Sequence, residues 1–149
     1  MKKLSLLSFL LLLFVCGADA QAQEAERKQR IEEYKEKRAA FLTEKIGLTE
    51  EQSELFWPSY EEYHDKRMLL LRTFRTETRT FKDIELPTDK EYKEVIAKDL
   101  DMRRKEAELM QEYYTRFQKI LTAKQTYDLM QAEDEFAKEY LRRRMDNRE

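Results

Sequence analysis

After residue 20 the chain contains one glycine, Gly47, and two prolines, Pro58 and Pro87. Glycine and proline are the residues that most often end helices and shape tight turns, so a chain this poor in them has few places to stop a helix. Charged residues make up 40% of the sequence, and apolar positions recur at steps of three and four. That composition and that period belong to long, solvent-exposed helices rather than to strands. The expected fold class is all-α, broken only where the few breakers fall.

Four helical segments follow. From about Glu24 to Ile46 the apolar positions Ile31, Tyr34, Phe41, Leu42 and Ile46 keep helical spacing, with a polar gap at Arg38. Gly47 supplies a left-handed residue to end this helix, and Thr49 with Gln52 three residues on forms a capping box that starts the next. The second helix is expected to reach about Phe81, with Phe56, Tyr60, Tyr63, Leu70, Phe74 and Phe81 on one stripe. Pro58, next to Trp57, lies inside it; the amide that would bond to the Glu54 carbonyl is missing, so a kink is expected there. Pro87, Thr88 and Glu91 make the next break and a second box. A third helix follows, from about Asp89 to Ile120, with Tyr92, Ile96, Leu100, Ala107, Met110, Tyr114, Phe117 and Leu121 at near-heptad intervals. The last corner repeats the first. Leu121-Thr122-x-x-Gln125 matches Leu48-Thr49-x-x-Gln52 and opens a helix at about Ala123 to Met145, which suggests equivalent corners in two helical hairpins.

The N-terminus places Lys2 and Lys3 before an apolar run from Leu4 to Val15 and a small-residue segment, the pattern of a secretory signal peptide over residues 1–20. Cleavage fits after Ala20 and, nearly as well, after Ala22, leaving a single helical domain at 21–149. Val15 stands where lipobox processing wants a small residue, which argues against lipid attachment at Cys16. Cleavage removes that cysteine, so an exported chain without disulfides must hold itself by packing or by oligomerising. Without Lys2, Lys3 and Asp19, 27 basic and 30 acidic residues remain, a net charge of −3. Nucleic acid is therefore not an expected partner. With one histidine and no cysteine left, no Ser-His-Asp or Cys-His set can form, and there is no glycine-rich phosphate loop. The chain is expected to be a non-enzyme that needs no cofactor and, once cleaved, has no membrane-spanning segment.

The paired Leu-Thr-x-x-Gln motifs, the leader, the size and the four-helix plan resemble the Spy/CpxP family. The stretch from Leu48 through Phe56-Trp57-Pro58 to Tyr60 is similar to a branch often described as sensors of extracytoplasmic (ECF-type) sigma factors. The resemblance carries over at Leu48, Thr49, Gln52, Leu121, Thr122 and Gln125, positions that are architectural. It implies long bent helices in an elongated, cradle-like antiparallel homodimer in the periplasm. It also implies ATP-independent chaperone or stress-regulatory activity, with clients on the concave face.

Several side chains could serve such a function. Arg72, Arg75, Arg79 and Lys82 fall at steps of three, four and three, a basic stripe beside Phe74 and Phe81 that could attract unfolded chains and hold them through aromatics. The alternative is a solvated face balanced by Glu77, Asp83 and Glu85. Met68, with Met102, Met110 and Met130, could give adaptable contacts or fill a core. His64 and Met68, four apart with Glu61 one turn before, have a spacing that could offer metal ligands. The histidine-rich segments of metal-binding relatives are absent, and no metal is expected. Two functions compete, a chaperone for unfolded envelope proteins and a regulator that binds a sensor kinase or anti-sigma factor, with metal sensing a weaker third.

Overall fold

The computed structural model describes the backbone of residues 4–146 and the side chains of 21–143, 145 and 146. Four helices follow one another: α1 (Leu4–Ile46), α2 (Glu50–Glu77), α3 (Asp89–Phe117) and α4 (Ala123–Asp146). A short 3₁₀ turn at Thr80–Asp83 separates α2 from α3. No strand occurs among the described residues, so the fold is all-α. α1 runs unbroken through its expected start at Glu24. The side chains of the expected leader, residues 1–20 with Cys16, lie outside the described ones. Among the described residues no helix is long and apolar enough to cross a membrane.

Side-chain chemistry sets the boundaries. Gly47 has φ +66°, the left-handed conformation in which its amide and that of Leu48 both return to the Thr43 carbonyl, at 3.0 and 3.3 Å. All three capping boxes are closed. Thr49 and Gln52 exchange bonds of 3.1 and 3.2 Å, Thr88 and Glu91 bonds of 2.7 and 3.3 Å, and Thr122 and Gln125 bonds of 3.0 and 3.2 Å. α2 continues through Pro58. Glu54 and Pro58 are both exposed, so the carbonyl that Pro58 cannot serve lies on the solvent side, where water can satisfy it.

α2 stops at Glu77, short of the expected Phe81. The Thr78 amide and hydroxyl both bond to the Phe74 carbonyl, at 3.0 and 2.8 Å, and the chain tightens into 3₁₀ geometry. Arg79 and Lys82 therefore lie beyond the helix that carries Arg72 and Arg75. α3 likewise ends at Phe117 instead of Ile120, because the next amides bond three residues back, Lys119 to Arg116 at 3.0 Å and Ile120 to Phe117 at 2.9 Å.

The extensive helix contacts are α2 with α3 and α1 with α4. Chain neighbours α1 and α2, and α3 and α4, form the two expected corners, but the long packing surfaces are made by the other pairing. The core sits where the four helices meet near those corners and is mostly aromatic. Phe117 is fully buried, with its ring centroid 5.2 to 6.2 Å from those of Phe56, Tyr60, Tyr63, Tyr113 and Tyr114. Leu42, Ile46, Leu121, Leu129 and Ala132 close the cluster. Along the α1/α4 pair, Tyr34 meets Phe136 and Tyr140 at 5.4 and 4.8 Å. Beyond Tyr63 on α2, and before Tyr113 on α3, no apolar side chain is fully buried.

Candidate functional site

The repeated motif closes the base of the molecule. The Gln52 amide donates to the Gln125 side-chain oxygen at 3.0 Å and to the Ile120 carbonyl at 3.1 Å. The Gln125 amide returns bonds to the Gln52 oxygen at 2.9 Å and to the Gly47 carbonyl at 3.3 Å. Each glutamine thus caps its own helix with its oxygen and binds the opposite corner with its nitrogen. Leu121 is buried and Leu48 half-buried beneath the pair. The six motif residues come together as a structural clasp and offer no reactive group.

A polar layer lies just above the clasp. The Glu133 carboxylate of α4 accepts from Tyr60 at 2.7 Å and from Tyr114 at 2.6 Å. Burial, reinforced by this carboxylate, holds both phenols far above their ordinary pKa of 10. Beside it, Arg38 of α1 is buried to 3% exposure, 2.7 Å from Glu61 of α2 and between the rings of Tyr34 and Tyr60, at 5.4 and 5.2 Å. His64 stands one turn after Glu61; burial first, and the Arg38 charge second, lower its pKa to about 4.

Glu61, His64 and Asp65 bring one potential metal-ligand atom each to within 4.8 Å of one another. Arg38 already occupies one oxygen of Glu61, and its fixed charge opposes a second cation there. Asp65 takes the place that the spacing gave to Met68, which is half-buried.

The distal halves of α2 and α3 carry a surface of another kind. Tyr92, Ile96 and Leu100 are 49, 55 and 62% exposed, and Ala107 is exposed too. They belong to the same α3 stripe as Tyr114 and Phe117, which lie in the core. One helical face is therefore covered at its C-terminal half and bare at its N-terminal half. Leu69 of α2 and Leu86 of the connection are also exposed, at 64 and 86%. The two helices lie side by side here, with Phe81 and Tyr92 rings at 5.4 Å and the Lys98 ammonium donating to the Glu77 carbonyl at 3.2 Å.

Arg72, Arg75, Arg79 and Lys82 are all exposed. Among the described residues none of the four has a carboxylate within 4.0 Å, whereas Lys93, Arg103, Arg104 and Lys105 of α3 are each paired along their own helix. Glu77, Asp83 and Glu85, the acids nearest in sequence, are not within 4.0 Å of these four cations. The aromatics expected to work beside it, Phe74 and Phe81, are half-buried, as is Trp57 at the clasp end of α2.

The sequence groups Tyr92, Ile96 and Leu100 with Tyr114 and Phe117 in one near-heptad stripe and does not separate the bare residues from the covered ones. Their spacing is the same whether a neighbour covers them or not. The chain matches no family model, no curated protein and no solved structure.

Proposed function

We propose that the distal arm formed by α2 and α3 binds unfolded or misfolded polypeptide segments, without nucleotide, as an ATP-independent chaperone of the Spy/CpxP type acting in the periplasm after loss of residues 1–20. One observation carries the proposal: the arm that presents a bare apolar ridge on α3, Tyr92, Ile96 and Leu100, also carries four exposed cations with no carboxylate within 4.0 Å among the described residues, Arg72 and Arg75 on α2 and Arg79 and Lys82 in the connection that follows it. Exposed apolar residues in a line, flanked by uncompensated charge, are the chemistry of an interaction surface. The cations speed encounter with acidic, unfolded chains, and the apolar ridge holds them through contacts that require no fixed sequence. A homodimer, and a bend at Pro58 that curves this surface around a client, belong to the same proposal.

The test is light scattering of two unrelated chemically denatured clients, each with and without an equimolar amount of the cleaved protein and with no ATP. Suppression of both, with an association rate that falls when Arg72 and Arg75 are changed to glutamine and when salt is raised, is the expected result. No suppression of either client sinks the chaperone proposal, and binding confined to one envelope stress-signalling protein replaces it with the regulatory function.

A further inference from the structure

Arg38 stands out among the charged groups of the molecule because it is buried and under-satisfied. One terminal nitrogen is paired with Glu61 at 2.7 Å, while Nε and Nη1 are buried without a hydrogen-bond partner. The second oxygen of Glu61 and Nδ1 of His64 are in the same condition. The guanidinium is held in place by the rings of Tyr34 and Tyr60. This cluster lies on the seam between α1 and α2, where Tyr34 also faces His64 at 6.3 Å between ring centroids.

A monodentate pair with leftover donors and acceptors on both sides is a weakly compensated buried charge, close to the balance point between desolvation cost and Coulomb gain. The sole histidine of the chain borders it. Its side chain keeps 14% of its surface exposed, so protons from solvent reach it.

The charged groups around the imidazole are unequal. α1 contributes Arg38 and Lys35, and α2 contributes Arg67 against Asp65, with Glu61 one turn back. On the α4 side Phe136 and Tyr140 pack on Tyr34, and Glu133 is engaged by two phenols. A proton added to His64 therefore places a second cation beside Arg38, with Glu61 to serve both.

We propose that Arg38, Glu61 and His64 form a proton-operated latch on the α1–α2 seam: protonation of His64 sets two cations against one shared carboxylate and releases α1 from α2. The latch stands independently of client binding, although its opening would uncover the Tyr34 and Tyr60 rings at the base of the arm.

The sign follows from linkage. Burial first, and the Arg38 charge second, hold His64 at about 4 in the closed seam; an opening that relieves both returns it toward its ordinary 6.5, so the open state binds more protons between those values. Seam stability is whole above pH 6.5 and falls as the pH drops toward 4. At pH 5 the opening equilibrium should be about thirtyfold greater than at pH 7.5.

The ring resonances of the one histidine report its titration directly by NMR, and amide exchange around Tyr34 to Leu42, corrected for intrinsic rates, reports the seam. In the unaltered protein His64 should titrate well below 6.5 and seam exchange should rise in acid by about the factor above. His64→Gln should remove that rise, and Arg38→Met should bring the histidine back toward its ordinary value. Should Arg38→Met lose its helical circular dichroism, Arg38→Gln, which removes the charge and keeps a polar side chain for Glu61, carries the same expectation. Ordinary titration of His64 in the unaltered protein, or an acid response retained in His64→Gln, overturns the latch.

Discussion

Gln52 and Gln125 each perform two tasks with one amide group, and that economy makes them sensitive positions. The oxygen of each caps a helix N-terminus, and the nitrogen of each crosses to the other corner. Replacing either by alanine removes a cap bond and leaves a corner carbonyl without its donor, at a cost of roughly 1 to 3 kcal/mol. Because the two amides bond to each other, the losses should not add. Urea unfolding of Gln52→Ala, Gln125→Ala and the double variant should give a coupling energy of at least about 0.5 kcal/mol. Purely additive losses would mean that each glutamine acts only as a local cap. The capping half of this arrangement is legible in the spacing Thr-x-x-Gln. The crossing half is not, because nothing in either five-residue pattern states that its partner lies 73 residues away.

At the scale of elements, α3 divides into two halves with different surroundings. Its 29 residues span about 43 Å at 1.5 Å per residue, and the clasp and the α1/α4 pair reach only the C-terminal part of its apolar stripe. Ile96 and Leu100 are bare in the single chain, so their replacement by serine should change thermal stability little, within about 0.5 kcal/mol. The same double replacement should weaken client capture in the scattering assay. A large loss of thermal stability instead would mean that a second subunit already covers this ridge in solution, and sedimentation of the variant would then show dissociation. The ends of the elements were legible wherever a capping residue or glycine marked them. The end of α2 was not, since the Thr78 hydroxyl competes with the helix for the Phe74 carbonyl, and the sequence around it keeps helical spacing through to Phe81.

For the whole molecule, stability depends on a core of mixed aromatic and aliphatic side chains with phenol hydroxyls inside it. Tyr63 is pushed up to about 12, chiefly by burial, and Tyr60 and Tyr114 are raised further in the same direction by burial and by Glu133. A phenol whose folded pKa exceeds its unfolded value of 10 contributes stability that is intact below pH 10 and is lost as pH rises through the folded value. The fold should therefore hold at neutral and mildly alkaline pH and weaken steeply above about pH 10. Absorbance titration should show Tyr60, Tyr63 and Tyr114 ionising above pH 10, and that ionisation should coincide with loss of helical circular dichroism. Ionisation of these three near pH 10 with the helices intact would contradict the burial of these side chains.

What the sequence determined by itself is local in origin. Helical period, scarcity of breakers, three capping boxes and one left-handed glycine act within a few residues, and they sufficed for an all-α chain of four helices with its corners at Gly47 and Thr122. What only the tertiary structure decided is how those helices share their faces. A stripe such as Tyr92 to Leu121 has one period along its whole length, yet packing covers Tyr114 and Phe117 and leaves Ile96 and Leu100 in water. Arg38, an apparent polar gap in an apolar stripe, becomes a buried cation because Glu61, Tyr34 and Tyr60 converge on it from two helices. Periodicity states which side chains point the same way; only the meeting of distant segments determines what they point at.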